Sequence, residues 1–464
     1  MKKTYILDTN ILMQAPNSVY GFEDNDIIIT PTTLEELDNH KGDYGEPGYN
    51  ARQAIRILGE LKTKGNFLDG IDLPGGGKIS VEFNHINEEL PEGWIPTKPD
   101  NRIIQCAKAL TNQAIKEREA GEEERKVILV SNDVNMQIKA SCIGIEVQSY
   151  MNTRVSDESI KYTGRKEVWA MPDVLNTKFK ENKLLPEDLY EYGDKEFINN
   201  DFVVIHNATD EKSTLLGVYR KGIIQPLRYA KYNPCGVTPR NVGQFFAQEA
   251  LMMPASEVPL VILKGAAGTA KTFYSLAVGL EQTMNTHEYR SLLITRPNVK
   301  FDDDIGYLRG DEMEKIMPLI RPCYDNLEQL LSNDIKNEDH DEMASKIEYL
   351  FNKGFIKAEA MAYMRGRSLA NTYMLVDECQ NSTPNQMLGL ITRAGVGTKI
   401  VITGDIKQID NPKLDKQNNG LSFASERMRG SDLCMQVLFN KEECERSELS
   451  CEAAQRLATD KLNK

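Results

Sequence analysis

"LKGAAGTAKTFY", residues 263–274, decides how the C-terminal half of this chain is read. The apolar run "PLVILK" at 259–264 leads into it, and "TFYSLAVGLEQ" carries on from it as a helix. Strand, Gly-rich turn and helix, in that order, make a cradle whose backbone N–H groups and helix N-terminus point at phosphate. The pattern G-x-x-x-x-G-K-[ST] falls on Gly265, Ala266, Ala267, Gly268, Thr269, Ala270, Lys271 and Thr272, with alanine where the second glycine belongs. Lys271 would neutralise the outer phosphates, and the Thr272 hydroxyl would ligate Mg²⁺. Ala270 keeps the backbone donor the loop needs. A positive φ there costs roughly 1–2 kcal/mol, whereas a helical φ costs almost nothing.

Working outward, "TYMLVDECQN" is an apolar strand that ends in Asp377 and Glu378. A strand-end aspartate can hold the metal, and the adjacent glutamate can activate the attacking water. A third strand ends in "TGDIKQID", which brings Gly404, Asp405 and Gln408 to the same edge, where a γ-phosphate sensor belongs. Gln244, in "TPRNVGQFFAQEALM", has an amide that can pair with an adenine edge. Arg393 and Arg446, with Arg365 and Arg367 in "MRGRS", can stabilise transferring phosphate or grip a nucleic-acid backbone.

The whole chain, at 464 residues, has room for two or three cores. Three regions follow from the pattern: 1–150, where short β-type runs alternate with helices; 151–235, charged and Pro-punctuated, with a small antiparallel unit; and 236–464, where βα alternation resumes. The fold class is α/β with parallel sheets. "GIDLPGGGK" reads as a loop or turn between elements, and "SNDIKNEDHDEMASKIEYLF" as a solvated helix or insertion. No apolar run is long enough to span a membrane. "MKKTYILDTN" has too short an apolar segment for a signal peptide and reads as a first strand. Eight cysteines without CxxC spacing suit reduced thiols in a cytoplasmic protein. A net charge of −13 argues against a general nucleic-acid coat, so a nucleic-acid partner needs local basic patches or a ring that gathers them. "YRKG" and "LRYAKY" (Arg220, Lys221, Arg228, Lys231) are such a patch, with Tyr229 and Tyr232 as stacking candidates.

The N-terminal region offers four acids. Asp8 follows "TYIL", Glu36 lies beyond "DIIITPTT", Asp100 opens "DNRIIQCAKAL" and Asp133 follows "KVILVSN". Each alone suits a helix cap, and Thr33 and Glu36 have capping-box spacing. Together they gather at the C-terminal edge of a parallel sheet, where ligands bind. Four carboxylates in one cleft repel unless divalent cations intervene, and all-oxygen ligands select Mg²⁺ or Mn²⁺. Such a metal pair suits in-line phosphodiester hydrolysis by water.

These residues carry two resemblances. "LKGAAGTAKT", "LLITRPNV" and "MRGRSLANTYMLVDECQNSTPNQMLGLITRAGVGTKIVITGDIKQID" resemble the PhoH-type P-loop ATPases over nearly all of 236–450. That likeness implies a superfamily 1 helicase-like core and ATP with Mg²⁺ at Lys271, Thr272, Asp377 and Glu378. It also implies Gln408 beside the γ-phosphate and assembly as a ring, often a hexamer. Ala270, and Arg309 in "YLRGD", depart from that family's pattern. "YILDTNILM", "TTLEELD", "PDNRIIQCA" and "LVSNDVNMQIKA" resemble the PIN-domain ribonucleases over roughly 3–148. By that resemblance Asp8, Glu36, Asp100 and Asp133 hold the metals, while Asn10, and Ser131 or Asn132, orient the acids or the phosphate. Glu36 is preferred to Glu35 because the family's glutamate directly precedes the leucine. The pairing implies ATP-dependent RNA unwinding joined to RNA cleavage on single-stranded or overhang-bearing RNA. An ATP-gated ribonuclease without helicase activity, or an RNA-binding ATPase with an inert PIN module, remains open.

Overall fold

The computed structural model describes residues 2–43, 45–83, 85, 87–121, 125–150, 155, 162–190, 196–297, 312–332, 340–364, 369–412 and 414–445. The chain forms two compact units, Met1–Thr153 and Arg154–Lys464.

In the first unit, β1 (Lys3–Leu7), β2 (Asp26–Ile29), β3 (Ile71–Asp72), β4 (Lys78–Val81), β5 (Lys126–Val130) and β6 (Glu146–Gln148) form one sheet in the order β3-β4-β2-β1-β5-β6. Every neighbouring pair is parallel except β3 with β4. Helices α1 (Thr9–Gln14), α2 (Pro31–His40), α3 (Gly45–Lys62), α4 (Pro99–Glu119) and α5 (Val134–Cys142) complete the unit. Alternate strand residues serve opposite faces. Leu7, Ile27, Ile29 and Val130 pack with Leu12 and Leu58 on one side. Ile6, Ile28 and Leu129 pack with Ile103, Ala107 and Ala140 on the other. Burial on both faces explains why the strands read as unbroken apolar runs. The segment expected to be a loop or turn at 70–78 is the turn of a hairpin together with its short strands, closed by a bond from Leu73 N–H to Gly77 O at 2.8 Å.

The second unit contains two sheets. The smaller has β7 (Arg165–Ala170), β8 (Phe202–Asn207), β9 (Asp210–Arg220) and β10 (Ile223–Pro226) in the order β10-β9-β8-β7. It is antiparallel apart from the parallel β7–β8 pair. Phe202, Val204 and Val218 on this sheet share a core with the residues beyond 236, and the rings of Phe202 and Phe246 stack at 4.6 Å.

The larger sheet comprises β11 (Leu260–Lys264), β12 (Ser291–Thr295), β13 (Ile356–Ala358), β14 (Thr372–Val376), β15 (Lys399–Gly404) and β16 (Cys434–Leu438). All neighbours are parallel, in the order β13-β12-β14-β15-β11-β16. Helices α6 (Val242–Met252), α7 (Lys271–Leu280), α8 (Glu312–Ser332) and α9 (His340–Asn352) contribute to the core on one face. Helices α10 (Pro384–Ile391) and α11 (Gly420–Arg427) contribute to the core on the other. The acidic stretch read as a solvated helix or insertion includes the helix α9, which buries Ile347 and Leu350 on one face. A sheet wound on both faces collects its strand C-termini at one edge, which is the ligand edge of such folds. Among the described residues, no helix is long and apolar enough to cross a membrane.

Candidate functional site

At that edge, β11 runs into the loop 265–270 and α7 begins at Lys271. The Lys271 amine donates to the carbonyls of Gly265 and Ala266, both at 2.8 Å, and to the Thr269 hydroxyl at 3.3 Å. It thereby closes the loop on itself where a phosphate's oxygens would compete for the same protons. Ala270 adopts φ 63° and ψ 21°, the left-handed region, so the costlier of the two alternatives at this position applies.

The Thr272 hydroxyl donates to Oδ1 of Asp377 at 2.9 Å, and the Thr403 hydroxyl donates to the same oxygen at 2.5 Å. Asp377 is buried, and the Cys323 thiol of α8 lies 4.0 Å from its other oxygen. Burial, and then the Asp377 charge, push that thiol's pKa up, so it stays protonated beside the carboxylate. Glu378 is itself left-handed, at φ 56° and ψ 40°. Burial and the neighbouring Asp377 raise its pKa, against the opposing pull of Gln380 and Arg296. Arg296 approaches Glu378 at 3.4 Å. Gln380 donates to Glu378 at 2.5 Å and to the Gln408 carbonyl at 2.9 Å, and accepts from Asp405 N–H at 3.1 Å. One amide thus ties the ends of β14 and β15 together. Thr403, Gln380, Arg296 and Cys323 were not singled out from the sequence. Gln380, Arg296 and Thr403 sit inside quoted motifs, but Cys323 belongs to the site only through the folding of the chain.

The other expected residues are placed as follows. Gln408 is exposed and touches the network through its backbone. Gln244 is buried at 2 % exposure, with its amide already engaged by Arg240 N–H and Glu445. Arg393 follows α10 and donates its backbone N–H to Leu390. Arg446, Arg365, Arg367 and Arg309 lie outside the described residues. Arg220 and Arg228 both pair with Glu257, at 3.0 and 2.8 Å, so these two cations of the expected basic patch share one carboxylate within the fold.

In the first unit, Asp8 stands at the start of α1 without capping it, which leaves its carboxylate for other work. Its Oδ2 accepts from the Ser131 hydroxyl at 2.6 Å, and that hydroxyl accepts from Asn10 Nδ2 at 3.1 Å and Asp133 N–H at 3.0 Å. Burial pushes the Asp8 pKa up to about 6; the Ser131 bond opposes the rise, and the charges of Glu36 and Asp100 add to it. Glu36 accepts from the Thr9 hydroxyl at 2.5 Å. The Thr33–Glu36 capping box is not formed, because Thr30 caps α2 and the Thr33 hydroxyl turns to Leu7 O. Asp100, in the first turn of α4, pairs with Lys98 at 3.4 Å. Asp133 spends one oxygen capping α5 through Asn135 and Met136 N–H.

The structure therefore draws Asp8, Glu36 and Asp100 into one electrostatic neighbourhood, while Asp133 is occupied as a cap. Among the described residues, no group of three or more acidic, histidine or cysteine side chains is already drawn in around a metal position. The donor chemistry does fit a hard divalent cation. Asp8 is buried with two like charges nearby, an arrangement that a cation relieves. Asp8, Glu36 and Asp100 are the residues that would hold it. In the second unit the oxygen pair of Thr272 and Asp377 would hold the ion that accompanies a triphosphate.

A family model described as PhoH-like protein matches residues 236–457, and one described as PIN domain matches residues 5–151. Protein PhoH2 of Bacillus subtilis (strain 168) is 37% identical over 446 residues, covering 96% of this chain and 97% of its own. Protein PhoH2 of Mycolicibacterium smegmatis is 27% identical over 445 residues, 95% of this chain and 94% of its own. A PhoH-like protein of Bacillus subtilis is 40% identical over 173 residues, 37% of this chain and half of its own. PhoH domains are ATPases and PIN domains are nucleases, so the matches describe an RNA-related ATPase with a nuclease domain. The chain belongs to the PhoH2 family: an N-terminal PIN domain followed by a PhoH-like domain of the P-loop type.

Proposed function

We propose that the protein is an ATP-driven RNA-processing enzyme in which the PhoH-like unit moves or unwinds RNA and the PIN unit cuts it. The observation that carries this reading is the meeting of Thr272 and Thr403 on one oxygen of Asp377, with Glu378 next in sequence. Two residues from the ends of separate strands and one from a helix start converge where a triphosphate would sit. Lys271 exchanges its loop carbonyls for phosphate oxygens when nucleotide binds. Glu378, made more basic by burial, takes the proton of the attacking water. Bound Mg²⁺ would neutralise charge on the outer phosphates.

In the PIN unit, Ser131 donates to Asp8 and Thr9 to Glu36, which fixes the orientation of both carboxylates. A divalent cation there would supply the activated water for phosphodiester cleavage. Assembly as a homo-oligomeric ring, proposed as a hexamer, would gather basic side chains that a single acidic subunit lacks.

The test is incubation of the full chain with labelled single-stranded RNA and with duplex RNA bearing an overhang, with and without ATP and Mg²⁺. Strand release that requires ATP and disappears in Lys271→Ala supports unwinding, and fragments that disappear in Asp8→Asn support cleavage. Cleavage stimulated by ATP without strand release would replace the unwinding reading with an ATP-gated ribonuclease.

A further inference from the structure

The segment after β16 returns over the phosphate loop. Glu445 N–H donates to Gly268 O at 2.9 Å, and the Cys444 thiol approaches Ala267 O at 3.7 Å. The Glu445 side chain reaches across to the start of α6. Its Oε1 accepts from Asn241 Nδ2 at 3.2 Å and from Gln244 Nε2 at 3.4 Å, and its Oε2 lies 3.2 Å from Arg240. Glu445 therefore bridges the loop that would hold phosphates and the helix start that carries the glutamine expected to read the base.

Exposure separates the roles of these two residues. Gln244 is 2 % exposed, and both ends of its amide have protein partners: Oε1 accepts from Arg240 N–H at 2.8 Å, and Nε2 faces Glu445. To pair with a base it would have to give up both bonds. The Glu445 side chain is 29 % exposed, and its partner Arg240 is 77 % exposed. A carboxylate has about four lone-pair sites, so the bonds already made leave Glu445 with acceptor capacity. A second observation points to a ligand at the same place. The Tyr274 hydroxyl on α7 is buried without a hydrogen-bond partner among the described residues, and it lies within the fields of Arg240 and Glu445. A buried hydroxyl without a partner is uncommon in native folds, and a bound base or ribose would supply one.

We propose that Glu445 is the base-reading residue of the nucleotide site, accepting the 6-amino group of adenine, and that Gln244 is a positioning residue behind it. This rests on the nucleotide reading of the phosphate loop. Adenine offers a donor at position 6, which suits a carboxylate. Guanine carries a carbonyl there, although its N1–H and 2-amino group present donors on a neighbouring edge. The shared chemistry is thus a purine donor edge, and the nucleotides used in the test tell the two bases apart.

The experiment measures competition against a fluorescent nucleotide on the full chain with Mg²⁺, using ATP, GTP and purine riboside triphosphate, which lacks the 6-amino group. The native chain is expected to bind ATP about tenfold or more tighter than purine riboside triphosphate, the scale of one hydrogen bond to a charged group. Glu445→Ala should bring that ratio close to one, and Glu445→Gln, which keeps an acceptor, should restore part of it. Were Glu445 a purely structural strap, Glu445→Ala would weaken both nucleotides equally and leave the ratio intact, which would overturn the assignment. GTP binding tighter than ATP to the native chain would overturn it too. Lys271→Ala is the separate control: binding of every nucleotide unchanged in that variant would defeat the phosphate-loop reading itself, whatever the base ratio.

Discussion

Thr272, the second residue of α7, donates its hydroxyl to Asp377 at the end of β14 across 2.9 Å, although 104 residues of sequence lie between them. The bond joins the helix that follows the phosphate loop to a strand that is not the loop's neighbour in the sheet. Asp377→Asn keeps the shape and removes the charge that a metal-bound triphosphate requires. ATP turnover is expected to fall by about a hundredfold or more, with protein folding retained. Steady-state phosphate release and a thermal melt on the same preparation check both halves.

Ala270 holds a left-handed backbone that glycine would adopt freely. Ala270→Gly relieves about 1–2 kcal/mol of native strain, while the freer unfolded chain takes back about 0.4–1 kcal/mol. A net stabilisation of about 0.5–1 kcal/mol is expected from the same two terms. Glu378→Gly relieves comparable strain but deletes the carboxylate, so it should stabilise while abolishing hydrolysis. Chemical denaturation paired with an ATPase assay separates the two outcomes.

Asp8 is buried with only the Ser131 hydroxyl and the Thr9 backbone N–H to offset its charge, and Glu36 and Asp100 are nearby. Asp8→Asn retains an acceptor for Ser131 and removes the buried charge. The expected result is loss of RNA cleavage together with a higher melting temperature, the trade expected where a site is strained for function. A melting temperature that falls by several degrees would show that Asp8 is structural support instead.

Lys399 is fully buried in β15 and donates to the carbonyls of Ala250, at 2.9 Å, and Met253. Burial pushes its pKa down to about 7, while Glu288 acts in the opposite direction. Above about pH 7 the folded lysine is neutral, whereas the unfolded one keeps its proton until near its ordinary value. Unfolding therefore takes up a proton, and stability rises with pH through that window, by up to about 1.4 kcal/mol per unit. Below about pH 7 both states are protonated and this dependence ends. Lys399→Met should flatten the rise between pH 7 and 9 in urea titrations.

Much of this architecture was legible because apolar runs buried on both faces leave a strong pattern. "TYIL", "KVILV", "PLVILK", "SLLIT" and "TYMLV" all became strands. The short β13 and the strand "CMQVL" after α11 carried no motif to draw attention to them. At the candidate sites, position along the chain identified Lys271, Thr272 and Asp377, because spacing from a strand end fixes where they emerge. It could not say which side chains were already engaged. Asp133 looks like the other acids in one dimension, and only the fold shows its oxygen turned to the start of α5. Gln244 and Glu445 are 201 residues apart, so no local pattern could show that one occupies the other.

The sheet order places β15 between the strand of the phosphate loop and the strand of Asp377. Neighbouring strands lie about 4.8 Å apart, so the two outer ends stand about 10 Å from each other. Between them is the end of β15, where Gly404 has no room for a side chain: a Cβ there would meet Gln380 Oε1 at 2.4 Å. The middle strand is thus a fixed spacer, and its bare glycine is what lets the Gln380 amide lie close enough to bind both strand ends together.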